Sequence, residues 1–290
     1  METKKRFRPE KLYALGLTGI VTVFISGCAA NLQSVGNFAK ISSSTSDYQQ
    51  IVKDYADTPK ILKRYSPDRM AGDQDIRIEE YAQQKKQLEN VQTILAAYMS
   101  ALGDLAVDNL PNVDDRITGI TGALTSINPN LKTITDPAGE IAKVLIREVG
   151  DQWRQSKIKT IIRECDPHVQ SVIAGLKHII DIDMRAALDV ERKAITDTFD
   201  SWKADAISHK ESVDGAQRVA RVLKEERLNE LAARNEKLDA YIKILDTIAK
   251  GHADLNKNID KLDEKTLTAR LQGYSKDLLT IQKNIAKLTN

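Results

Sequence analysis

The chain has 290 residues, with 43 Lys and Arg against 41 Asp and Glu and a net charge of +2. No global basic field argues for nucleic acid. Hydrophobic residues make up 41% but aromatics only 5%, a balance that suits helices packed along aliphatic seams, and the length is ample for one large helical domain or two smaller ones.

The chain opens on Lys4, Lys5, Arg6, Arg8 and Lys11, then an uncharged run from Leu12 to Ile25 that leads into Ser26, Gly27 and Cys28. A basic start, an apolar core and a small-residue site describe an export signal. The run is about 14 residues, short of the roughly 20 that cross a bilayer as a lasting helix, and Gly16, Thr18, Gly19 and Thr22 weaken it further.

Ile25-Ser26-Gly27-Cys28 resembles the lipobox of bacterial lipoproteins. The resemblance implies cleavage between Gly27 and Cys28 and a diacylglycerol on the Cys28 sulfur. The two chains of that diacylglycerol hold a membrane stably where one does not, and a further acyl group on the new N-terminus adds a third. Ala29 in place of an aspartate implies, by the same resemblance, the outer membrane of a two-membrane host, facing the periplasm. An ordinary signal peptide with Cys28 as a passenger, or an uncleaved N-terminal anchor, are the competing readings.

Removing residues 1–27 takes away five basic and two acidic residues, leaving 38 against 39. The basic surplus therefore belongs to the export signal. With Cys28 acylated, Cys165 stands alone and no internal disulfide can form. A free cysteine is ordinarily a small buried hydrophobe; an intermolecular disulfide or a reactive thiol is the sharper option.

Residues 28–46 mix small and polar groups and end in Ser42-Ser43-Ser44-Thr45-Ser46. They read as the lipidated N-terminus and a flexible tether. Residues 47–290 read as one helical bundle domain. A short helix is expected over 47–64, interrupted near Thr58-Pro59, with a loop at Pro67 and Gly72. From Asp75, the positions Tyr81, Leu88, Val91, Leu95, Tyr98, Leu102 and Leu105 alternate by threes and fours, with only Gln84 polar in the seam. That is one face of a helix packed in a bundle. Val91 to Val107 carries one charge, Asp104, and is expected at the centre of the bundle; insertion into lipid is the alternative.

Val113 to Ile127 repeats the alternation after Leu110-Pro111-Asn112. Asp136-Pro137 and Asp166-Pro167 read as helix starts, since Asp caps exposed amides and Pro suits a first turn. They place one helix over 138–164 and a reversal or kink at 166–167. A long helix then runs from Val169 through Trp202, with a break between Ser208 and Gly215. Leu238, Tyr241, Leu245, Ile248, His252, Leu255, Ile259 and Leu262 form the best heptad register. Leu267, Leu271, Tyr274, Leu278, Ile281, Ile285 and Leu288 repeat it after a step of five. An antiparallel turn is expected around 263–266, or else near Gly251. The fold class is all-α: an elongated antiparallel helical bundle with long coiled-coil-like helices.

Chemistry-bearing patterns are missing. The positions three before His168, His178, His209 and His252 are Cys165, Gly175, Ala206 and Ala249, so the Glu-x-x-His of di-iron bundles does not occur. Zinc-protease, haem, phosphate-loop and nucleophile-elbow motifs are also absent. No catalytic residue, cofactor or metal ligand is assigned. Cys165, Asp166 and His168 could suggest a thiol–imidazole pair, but Pro167 more simply marks a helix start. His252 in the seam reads as a core histidine bonded to a neighbour, or as a loop residue if the turn lies at Gly251, rather than as a metal ligand. The functional expectation is a lipid-anchored, non-enzymatic structural or interaction module in the envelope. Its partners are the membrane, through Cys28, and another protein or a second copy; nucleic acid is excluded. A membrane-active helical protein or a helical ligand carrier are the alternatives.

Overall fold

A computed structural model describes residues 32–46, 48–66, 71–107, 131–149, 157–208 and 214–288. All belong to a unit spanning Asn31–Asn290. The lipobox, Cys28, His209, Trp153 and the expected helix 113–127 lie outside the described residues. Among those described, the secondary structure is helical without strands, and the fold is an all-α helical bundle.

The first helix, α1, spans Gln33–Ser46. This corrects the expected tether. Val35, Phe38, Ala39 and Ser42, on one helical face, are fully buried. The serine run satisfies its hydroxyls locally: Ser44 and Thr45 donate to the Ile41 carbonyl. Ser43 reaches across to the Ala96 carbonyl at 2.8 Å. Polar composition gave the impression of a linker, but the hydroxyls are absorbed by backbone acceptors.

Helices α2 (Gln49–Ala56) and α3 (Thr58–Tyr65) meet at Asp57, as the Thr58-Pro59 signal predicts. α4 runs over Ala71–Ala106 and includes Gly72, which was expected in a loop. Its seam residues Leu88, Val91, Leu95, Tyr98, Leu102 and Leu105 are all buried. Ile94, Met99 and Ala101 are buried as well, so the nearly uncharged half of α4 is buried round most of its circumference, with Thr93, Ala97 and Ser100 half-buried on the remaining face. Gln84, the polar member of the seam, accepts the Tyr55 hydroxyl at 2.9 Å. α1 crosses α4 closely. A Cβ on Gly36 would lie 2.7 Å from Val107 Cγ1, and one on Gly103 would lie 2.8 Å from Lys40 Cγ.

α5 spans Lys132–Val149 with Pro137 inside it, and α6 spans Ile158–Ile179 with Pro167 inside it. Both prolines were expected at helix starts, and the single helix over 138–164 was wrong. The core stripe explains why. Ile134, Ala138, Ile141 and Leu145 line one buried face of α5, beginning before Pro137. Ile161, Ile162, Cys165, Val169 and Val172 are buried on both sides of Pro167, while Pro167 itself is exposed. An interior proline costs about 3 kcal/mol. Here the freed carbonyl four residues earlier belongs to exposed Arg163, where water can satisfy it, and burial on the opposite face outweighs the rest.

From α6 the helix continues through a π turn, Ile180–Met184, into α7, Arg185–Ser208. The π turn follows from the spacing. Leu176, Ile180, Met184 and Leu188 are all buried and four apart, which an unbroken α-helix would rotate out of the core. α8, Asp214–Lys257, runs back along this continuous helix. Arg185 donates to Asp239 at 2.6 Å and Lys224 to Asp200 at 2.7 Å. A step of fifteen residues up α7 thus matches one of fifteen down α8, as strictly antiparallel helices require.

The seam of α8 is as read from sequence: Leu238, Tyr241, Leu245, Ile248, His252 and Leu255 are buried. α8 passes straight through Gly251, and the turn lies at 258–264, starting earlier than 263. Gly251 serves contact, since a Cβ there would overlap the Phe38 ring of α1. α9, Lys265–Lys287, closes the bundle with Leu267, Leu271, Leu278 and Ile285 inward.

Candidate functional site

Where α4, α6 and α8 meet, a chain of polar side chains runs through the apolar core. Tyr98 and His252 are fully buried, and the Tyr98 hydroxyl lies 2.6 Å from His252 Nε2. His252 Nδ1 lies 2.7 Å from Asp166 Oδ1. Asn256 donates to Asp166 Oδ2 at 2.9 Å, and Gln170 donates to Oδ1 at 3.2 Å. Gln170 also donates to the Ala249 carbonyl at 3.0 Å. The Cys165 thiol stands beside Tyr98 at the end of the chain.

Electrostatics fixes the protons. Burial raises the Asp166 carboxyl, but the hydrogen bond and charge of His252, with Gln170 and Asn256, overcome it and hold the group below its usual value. An ionised carboxylate can only accept, so Nδ1 carries the imidazole proton. On the other side of the ring, Nε2 and the Tyr98 hydroxyl share a hydrogen bond of 2.6 Å. Burial pushes the Tyr98 phenol well above its usual value and the Cys165 thiol up to about 12.

Carboxylate, imidazole and hydroxyl in line can move a proton, but chemistry also needs a substrate within reach. Neither of the described clefts is lined by Tyr98, His252, Asp166 or Cys165. The set is a buried clamp joining three helices. The Cys165–Asp166–His168 grouping does not form a pair: Asp166 turns to His252, 86 positions away. His252 is the bonded core histidine read from the seam. Its partners were not legible, because Tyr98 and Asp166 each sit in ordinary seams of their own.

A second polar region lies between α2–α3, α7 and α8, around a cavity of about 190 Å³. Arg234 Nη1 donates to both Glu191 oxygens at 3.0 and 2.8 Å, and Nη2 donates to the Asp54 carbonyl at 2.9 Å. Burial raises the Glu191 carboxyl despite Arg234, which pulls it down. Arg227 Nη1 donates to both Glu230 oxygens. Much of the charge lining this cavity is thus already paired. Among the described residues no group of three or more His, Cys, Asp or Glu is placed to hold a metal ion, and no helix is long and apolar enough to cross a membrane.

Comparison with known proteins returns no match: no family model, no curated sequence and no solved structure is similar to the chain.

Proposed function

We propose that the chain is a lipid-anchored protein of the cell envelope, acting as a non-enzymatic structural or protein-interaction module in the periplasm, with Cys28 as its point of attachment. The observation that carries this reading is the basic, apolar and small-residue series ending in Ile25-Ser26-Gly27-Cys28. The helical unit supports it in a second way. Of its most chemically capable groups, Asp166 and His252 are engaged in a bond between helices, and Cys165 is fully buried.

The test is mass spectrometry of the N-terminal peptide, with an affinity pull-down from envelopes of wild type and Cys28→Ser side by side. A peptide beginning at an acylated Cys28, with a stoichiometric partner or second copy recovered, is the expected result. A protein beginning at Met1 with a free thiol at position 28 overturns the address. The 190 Å³ cavity favours a ligand carrier as the second reading, to be tested by native mass spectrometry of the extracted protein.

A further inference from the structure

Beyond the end of α3, the hairpin of α7 and α8 presents a cluster of uncovered apolar side chains. Val219 is 60% exposed, Val222 59%, Leu223 42% and Trp202 45%. Val219, Val222 and Leu223 are spaced three and four apart, so they form one stripe along α8. The stripe is not the face that packs on α7. Ala220, only 8% exposed, and Lys224, bonded to Asp200, mark that face. The same pairing sets Trp202 of α7 level with Val222, but Val222 faces away from α7, so the stripe is made by α8 alone. A contiguous apolar patch of this kind marks a contact surface rather than scattered exposure.

The charges beside the stripe identify the occupant. Arg218 and Glu225 are both exposed and lie seven residues apart, on one edge of the helix about two turns from each other. A rim carrying both signs does not suit an anionic lipid surface, which calls for basic residues alone. It suits the same helix running the opposite way. With a two-fold axis at the level of Val222, each Arg218 faces the Glu225 of the other copy, and the two stripes meet between them.

We infer that the α8 side of the α7–α8 tip, through Val219, Val222 and Leu223, is an isologous docking surface for a second copy of this chain, registered by reciprocal Arg218–Glu225 pairs. This deepens the reading of the chain as an interaction module and is independent of the anchor at Cys28.

The test uses the full-length protein in mild detergent, followed by light scattering and sedimentation velocity. Wild type self-associates as a dimer. Arg218→Glu alone, or Glu225→Arg alone, sets like charges opposite one another and weakens the dimer about tenfold or more. The double exchange restores it. Val222→Cys forms a symmetric intermolecular disulfide under mild oxidation, whereas Ile182→Cys, on an equally exposed site, does not. All these positions are exposed, so folding is preserved, and circular dichroism verifies it. A monomer, a dimer indifferent to both charge reversals, or a monomer that binds phosphatidylglycerol vesicles through the stripe overturns the proposal. Acylation of Cys28 is read separately by mass, so failure here leaves the address standing, and failure of the address leaves the dimer to be judged on its own.

Discussion

Asp166 binds the imidazole of His252 at 2.7 Å inside the bundle, from a helix that passes through Pro167 without ending. One contact thereby joins α6 to α8, and the far side of the same ring joins both to Tyr98 of α4. Removing the ring strands the Tyr98 phenol and takes from Asp166 one of its three side-chain partners. His252→Ala is expected to destabilise the protein by about 3 kcal/mol, the scale for emptying a buried ring site and orphaning the hydroxyl bonded to it. Tyr98→Phe leaves only Nε2 unpaired and costs about 1–2 kcal/mol. Urea denaturation of both variants checks the order.

The same contact sets an acid limit. The Asp166 carboxyl is lowered in the folded state, so its stabilisation is fully present above the unfolded value of about 3.9. It is lost as pH falls through the lower folded value. Glu191 has the opposite sign, because its folded carboxyl is raised. It binds its proton more tightly when folded, and its contribution weakens as pH climbs from the unfolded value through the raised one. Stability profiles from about pH 2 to 7 are expected to lose the acid-side slope in Asp166→Asn and the opposing slope in Glu191→Gln.

Cys165 has no exposed surface, and burial pushes its thiol up to about 12. The thiolate is the reacting species. At pH 8 the native thiol is therefore expected to resist maleimide labelling until the helices open, and labelling rates will follow denaturant-dependent opening. Prompt labelling of the folded protein refutes this placement.

Phe38 and Gly251 pack without room between them. Gly251→Ala forces a methyl into the ring and is expected to cost about 1–3 kcal/mol. Phe38→Leu in the same chain recovers part of that loss, giving a non-additive cycle in thermal unfolding. Deleting residues 33–46 exposes the partners of Val35, Phe38 and Ala39 and costs more than either substitution.

Apolar periodicity reported the seams of α4, α8 and α9 faithfully, because those helices bury one stripe each in a common core. It failed where local chemistry carries a different tertiary weight. Asp-Pro at 136–137 and 166–167 looks like a helix start, yet Ile134 and Ile161 were already committed to the core upstream. The π turn could have been read from the fourfold spacing of Ile180, Met184 and Leu188. α1 could have been read from Val35, Phe38, Ala39 and Ser42, but its serines outweighed them. The clamp could not be read at all, since nothing local to Tyr98, Asp166 or His252 reports the other two.

Because α1 is built into the bundle from Gln33 onward, with Leu32 already 4% exposed, the distance available to an acylated Cys28 is short. Only residues 29–31 intervene, a reach of about 14 Å at full extension. The protein would be moored close against the headgroups rather than held out on a leash.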